Sequence, residues 1–253
     1  MNIYIMIILS TIIIGLCLLC CFKNKSSNIE NFESYNSNDY NCNYLDAVIY
    51  INLDHREDRK EKIEKMLTEM NINPNKIHRL SATLNKNNGH KGCAASHIRA
   101  IKKAKENNWR NVLILEDDFQ LSVDPEDAVE TLDDIFSEIE NDEWHAIQLS
   151  SCFVNKEDCK YKNLHRLKQG TTTSSYILNN TLYDELLNVF QNAHDKMQDS
   201  KKTKTTPYAI DQAWGVLQKQ KKWYISNPKL GKQGSTHSDI MGGTIQYECF
   251  MSN

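Results

Sequence analysis

Hydrophobic positions set out three regimes along the chain. Ile3 to Phe22 carries no charged side chain, and its only polar ones are Tyr4, Ser10, Thr11 and the cysteines. Twenty residues at helical rise span roughly 30 Å, the bilayer core. Residues 1–22 therefore read as an N-terminal transmembrane helix, a single-pass anchor. A cleaved signal peptide fits less well, because no Lys or Arg precedes the block and its exit, Cys20-Cys21-Phe22-Lys23, is not small-x-small. Residues 23–44, rich in Asn, Ser, Lys and Glu without an apolar period, read as a flexible stalk. From Leu45 the pattern alternates. Ala47 to Ile51, Ile77 to Leu80, Asn111 to Leu115, Ala146 to Leu149, Thr173 to Leu178 and Trp223 to Ser226 are short apolar runs of strand type. Glu57 to Met70, Ala94 to Asn107, Asp127 to Ile139, Thr181 to Gln191 and Ala209 to Gln220 have helical spacing. Strand–helix alternation predicts an α/β domain over 45–253, a sheet with helices on its faces.

Composition narrows the partners. The 253 residues are 40% hydrophobic and 25% charged, which excludes a wholly disordered chain. A formal charge of -3 gives no electrostatic reason to expect nucleic acid. Lys23 and Lys25 follow the apolar block, so the positive-inside rule favours a cytosolic domain, while a Golgi-type enzyme has the opposite topology; the side stays open. Asn24-Lys25-Ser26 and Asn179-Asn180-Thr181 match the glycosylation triplet. Cys17, Cys20 and Cys21 are lipidation candidates or apolar filler. No CxxC pair lies outside the anchor, which excludes a zinc finger. Cys152 and Cys159 have two readings, a disulfide in an oxidising lumen or free thiols.

Four segments carry chemistry. Glu116-Asp117-Asp118 directly follows an apolar strand, and in open α/β sheets ligands bind beyond the carboxyl ends of strands. Clustered carboxylates there suit Mn²⁺ or Mg²⁺, or form an acidic surface turn. Asn52 to Arg59 ends the first strand and opens the first helix, with Arg56 and Arg59 able to fork onto phosphates or carboxylates. Gly92-Cys93-Ala94-Ala95-Ser96-His97 combines small residues with hydrogen-bonding groups; a Cys93–His97 thiol mechanism is the weaker reading, and packing the stronger. Asp211 in a late helix, and the polar tail Gln233 to Asp239, offer a base or ligands whose position sequence does not give.

In this order the segments resemble glycosyltransferase family 25, which includes lipooligosaccharide galactosyltransferases and the glycosyltransferase domains of collagen-modifying enzymes. The resemblance runs from about Ala47 to Ile240. Asn52-Leu53 with Arg56 and Asp58-Arg59 looks like the family's opening signature, Gly92-Cys93 with Ser96-His97 like its second element, and Leu113 to Asp118 like its metal motif. Gly170-Thr171, Tyr176, Asp211 and the tail resemble looser C-terminal blocks. The resemblance implies a GT-A-like nucleotide-sugar fold with a mixed central sheet. It implies transfer of a hexose, galactose or glucose, from a UDP-sugar to a glycan or glycoprotein, with inversion and Mn²⁺ (or Mg²⁺). Asn52, Leu53, Arg56, Arg59, Ser96 and His97 would lie at the nucleotide, and Glu116, Asp117, Asp118 and His237 at the metal. Asp211 would act as base, and His237 or Asp239 would complete the site. Asp54 and Glu57 depart from the family pattern, where many members have small or basic residues. Two alternatives stand beside this reading, a catalytically silent relative used as a binding protein and a metal-dependent phosphohydrolase.

Overall fold

A computed structural model describes residues 40–197 and 208–234, and the backbone of 237–238 and 243–244. The expected anchor lies outside these residues, as do nearly all of the stalk, the Asn24 triplet and Cys17, Cys20 and Cys21. Among the described residues no helix is long and apolar enough to cross a membrane. The end of the expected stalk is folded: Asn41 bridges to Ile72, and Cys42 and Leu45 are buried.

An eight-stranded mixed sheet runs through the domain. Its strands are β1 (Ala47–Asn52), β2 (Ile77–Ser81), β3 (Asn111–Glu116), β5 (Ala146–Gln148), β6 (Val154–Glu157), β7 (Leu164–Gly170), β8 (Ser175–Asn179) and β9 (Trp223–Ser226), in the order β2-β1-β3-β8-β5-β9-β7-β6. β1 is parallel to β2 and β3, β8 is antiparallel to both its neighbours β3 and β5, and β5 is parallel to β9. Two further strands, β4 (Phe119–Leu121) and β10 (Gly231–Gln233), pair antiparallel beside the sheet, and β11 (His237–Ser238) pairs with β12 (Gly243–Thr244). The helices are α1 (Glu57–Glu69), α2 (Gly89–Glu106), α3 (Pro125–Ile139), α4 (Tyr183–Lys196), α5 (Ile210–Ala213) and α6 (Gly215–Gln220).

Period-two alternation splits the core into two layers. Ala47, Ile49 and Ile51 of β1 face the cluster that holds Ile98 and Ile101 of α2, Leu186 and Phe190 of α4, and Trp214. Val48 and Tyr50 face the other, with Ile63 and Leu67 of α1 and Leu132 and Ile135 of α3. The chain therefore leaves β1 through α1 on one face and reaches β3 through α2 on the other. With β1 between β2 and β3, the strand order reverses there, and such a switch point opens a crevice at the carboxyl ends of β1 and β3.

Differences from the sequence reading have local causes. α2 starts at Gly89, five residues before the expected Ala94. The Asn88 side chain accepts from Lys91 N at 3.2 Å, a cap that substitutes for the apolar period missing from Gly89 to Gly92. Gly92 is required: a Cβ would lie 2.4 Å from the Thr83 carbonyl oxygen. The single helix expected over 209–220 breaks at Trp214 into α5 and α6. The β6–β7 edge hairpin has no counterpart among the strand-type runs of the sequence. Asn179 of the second triplet is buried, accepting from Thr181 and donating to Asn111. Cys159 is a free thiol, and Cys152 is disulfide-bonded, though not to Cys159.

Candidate active site

β1 and β3 end side by side, and a cavity of about 90 Å³ opens there. Its walls include Leu53, Arg59, Cys93, Ser96, His97 and all three acids, Glu116, Asp117 and Asp118, closed by Gln233. The three acids are consecutive but turn to different partners. Asp117 is buried and fully engaged: Arg59 donates to Oδ1 at 2.8 Å and Asn52 to Oδ2 at 2.8 Å. Burial raises its pKa, and those two donors oppose the rise. Glu116 accepts from the Thr173 hydroxyl at 2.6 Å and lies 3.2 Å from His97 Nε2, through the same oxygen, Oε1. Burial works to raise Glu116, yet the hydrogen bonds from His97 and Thr173 and the charges of His97 and Arg59 hold it below the ordinary carboxylate range. Asp118 accepts from Gln233 at 3.1 Å and from Arg59 at 3.4 Å, both at Oδ2. Its Oδ1 is buried and has no hydrogen-bond partner among the described residues. Burial and then the charge of Glu116 push the Asp118 carboxyl up to about 7.

This arrangement passes the test for a hard divalent cation. Three carboxylates face one guanidinium, and an orphaned carboxylate oxygen ordinarily costs about 1–3 kcal/mol or more unless something meets it. Oxygen donors at the end of a strand are the ligands Mn²⁺ and Mg²⁺ take. Asp118 and Glu116 have the free lone pairs to hold such an ion. Asp117, whose oxygens are occupied, braces Arg59.

The expected nucleotide residues separate into two groups. Leu53, Arg59, Ser96 and His97 line the cavity. Ser96 is committed within the wall, accepting from Thr83 N and donating to the Gly92 carbonyl, each at 2.8 Å. His97 is buried between Glu116 and the Tyr176 hydroxyl, 2.7 Å from Nδ1. Asn52 and Arg56 are not among the cavity-lining residues. Asn52 donates to Asp117 and to the Arg56 carbonyl and accepts from Arg79 Nε. Arg56 forks onto Asp58 with two 2.9 Å bonds. Their polar atoms hold the β1–α1 turn. The departures Asp54 and Glu57 are exposed; Asp54 pairs with Arg79 at 2.7 Å and Ser81 at 2.9 Å, and Glu57 with Lys60 at 3.1 Å.

Asp211 lies near this group without lining the cavity. Its Oδ2 accepts from Thr172 N at 3.2 Å. Burial raises its affinity for a proton; the Thr172 N–H and the charge of His90 oppose, and the charge of Glu116 adds. Thr172 has φ 77°, a left-handed conformation that a β-branched residue adopts at a cost of about 1–3 kcal/mol. That strained residue makes the Asp211 contact itself and directly precedes Thr173, the donor to Glu116. The His237 side chain and Asp239 lie outside the described residues.

Thr173 and Gln233 are contributors that the sequence did not single out as ligands of the acids. Neither stands in a pattern with the acids: Thr173 is 57 residues from Glu116, and Gln233 is 115 from Asp118. β10 brings Gln233 in by pairing with β4, and Gly231 permits it, since a Cβ there would lie 2.2 Å from the Phe119 ring. The Gly234 N–H then donates to the Asp118 carbonyl at 2.7 Å.

The model of a family described as glycosyltransferase family 25 (LPS biosynthesis protein) matches residues 74–214, more than half of the chain. No curated protein matches by sequence. Solved structures with similar backbones include a mannose-1-phosphate geranyltransferase from Thermus thermophilus (11% identity, 71% of this chain and 72% of that one, TM-score 0.41). Another is the glycosyltransferase GlyE of Streptococcus pneumoniae TIGR4 (10% identity, 71% and 44%, TM-score 0.39). A third is a glycosyltransferase involved in glycosylation of the major capsid of PBCV-1 (11% identity, 71% and 92%, TM-score 0.35).

Proposed function

The chain belongs to glycosyltransferase family 25, and on that premise we propose that it transfers a hexose, galactose or glucose, from a UDP-sugar to a glycan or glycoprotein acceptor, with inversion and Mn²⁺ dependence. The observation that carries this is the Asp118 Oδ1, without a partner among the described residues, on the same cavity wall as Glu116. When bound, a divalent cation supplies positive charge that neutralises the diphosphate as leaving group. Asp118 and Glu116 would hold it. Arg59 balances the acid cluster, and Leu53 and the 82–85 segment of the wall face the donor. Inversion is a single in-line displacement, which needs a carboxylate to take the acceptor hydroxyl's proton. Asp211 is assigned that part, supported by its raised proton affinity and its place beside Thr172.

Supporting a GT-A-like fold are the switch point at β1 and β3 and the antiparallel β8 within the sheet. Residues 1–22 are proposed as a membrane anchor on the strength of their uncharged composition; resistance of the full chain to alkaline extraction from membranes tests this.

Calorimetric titration with UDP, with and without Mn²⁺, tests the main reading. Metal-dependent binding, with UDP released from a UDP-sugar in the presence of acceptor, is expected. Nucleotide binding without turnover on a broad donor and acceptor panel would favour the silent relative, and release of inorganic phosphate would favour a phosphohydrolase.

A further inference from the structure

Cys93 takes no part in the proposed transfer, yet it stands on the cavity wall one helical turn before His97. The potential ligand atoms of Cys93, His97 and Glu116 all lie within 4.8 Å of one another. We propose that Cys93, His97 and Glu116 form a binding site for a thiophilic divalent cation of the Zn²⁺ class, distinct in ligand chemistry from the oxygen site at Asp118.

The donor set is one thiol, one imidazole and one carboxylate, which selects zinc over magnesium or manganese. Zinc takes such ligands at about 2.0–2.3 Å. Atoms already within 4.8 Å therefore need only a modest contraction around an ion. Three protein ligands facing a cavity leave a fourth position for water or another small ligand. The supporting contacts are also in place. His97 Nδ1 faces the Tyr176 hydroxyl at 2.7 Å, and Glu116 accepts from Thr173 at 2.6 Å. A partner on the second ring nitrogen fixes the orientation of a ligating histidine.

Proton balance follows from the same contacts. Without a cation, an ionised Glu116 can only accept, so His97 Nε2 carries the proton between them. On binding, an ion at the Nε2–Oε1 position displaces the Nε2 proton, and Nδ1 keeps its contact with the Tyr176 hydroxyl. Burial, reinforced by the charges of Glu116, Asp211 and Asp118, keeps Cys93 a neutral thiol. Its proton is released to solvent as the thiolate binds. The site does not depend on the donor reading, although both use Glu116; a cation held here would remove that carboxylate from the Asp118 site.

Cobalt(II) titration of the full chain under reducing conditions tests the proposal, because a cobalt–thiolate bond gives a near-ultraviolet charge-transfer band. The expected result is a one-equivalent band, removed by Zn²⁺ and retained in excess Mg²⁺. Cys93→Ser should abolish it with the circular dichroism unchanged. Tyr176→Phe should keep the band and weaken cobalt affinity by about 10- to 100-fold, the usual effect of losing such a partner. Asp118→Asn should leave the band intact even though it removes the oxygen site. No band in the wild type would overturn the proposal, as would a band that survives in Cys93→Ser. Loss of the band in Asp118→Asn would also overturn it, placing the ion at the oxygen site. Absent UDP binding would not alter the spectrum, so the two readings fail separately.

Discussion

Two polar clusters are buried against the same sheet, one at the ends of β1 and β3 and one between β5, β7 and α6. The second is built from neutral amides and an arginine. Gln218 accepts from Gly170 N at 3.0 Å and donates to Gln148 at 2.8 Å and the Gly170 carbonyl at 2.9 Å. Trp214 donates to that carbonyl at 2.9 Å, and Arg166 donates to three carbonyls, those of Leu167, Gln218 and Trp223. Both polar atoms of the Gln218 amide are thus bonded, without an ionised carboxylate in the group. The first cluster packs three acids around Arg59 and leaves Asp118 Oδ1 without a hydrogen-bond partner among the described residues. A satisfied buried network fixes a fold, whereas an unsatisfied one costs stability unless a ligand completes it. The contrast distinguishes the two clusters on physical grounds.

The strongest way to break this contrast is Asp118→Asn. Turnover, measured as kcat/KM for UDP-sugar transfer, should fall at least about 1,000-fold, or roughly 4 kcal/mol at the transition state. Thermal denaturation should show no loss of Tm in the cation-free variant and no further stabilisation by Mn²⁺. An unchanged kcat/KM would remove Asp118 from the metal site. Next is Arg59→Met, which leaves Asp117 and Asp118 without their cationic partner. Chemical denaturation should register a loss of about 3 kcal/mol, partly recovered with Mn²⁺. Gln218→Ala attacks the scaffold and should cost about 2 kcal/mol, while activity per folded molecule stays within about twofold. A larger loss of kcat than of stability would merge the clusters.

The smallest effect concerns pH. The folded state lifts the Asp118 carboxyl from 3.8 to about 7, so the fold takes up that proton more readily than the unfolded chain. Its contribution to stability is therefore fullest below 3.8 and declines as pH rises toward about 7. The stability difference between wild type and Asp118→Asn, which cancels the histidines, should shift by about 1 kcal/mol against the wild type between pH 6 and 7. Saturating Mn²⁺ should erase the shift. A pH-independent difference would mean that the carboxyl is ionised throughout that range.

Much of the scaffold was legible because its signals are local. β1 and β3 are unbroken apolar runs, and the helices α1, α3 and α4 repeat every three to four residues. Residues beyond a strand end could be placed at the sheet's carboxyl edge from order alone, and Glu116 to Asp118 do line the cavity there. The division of labour within that triplet was not legible. Adjacent carboxylates look alike in sequence, and only the packed turn sends Asp117 to Asn52 and Arg59 while leaving an Asp118 oxygen alone. Nor does anything local reveal that Asn52 bonds to Asp117 and Arg79, or Arg56 to Asp58. The β6–β7 hairpin and the β4–β10 pair escaped for a related reason. Their strands are short and polar, as in Val154–Glu157 and Gly231–Gln233, and long-range pairing defines them.

The closure of Asp118 by Gln233 and Gly234 also sets an order of events during synthesis. Asp118 emerges 115 residues before Gln233, an interval of roughly 6–23 s at 5–20 residues per second. Through that interval the growing chain has its acid cluster but not the strand that shuts one side of it. A nascent polypeptide thereby lacks that wall of the pocket until β10 has been made and pairs with β4.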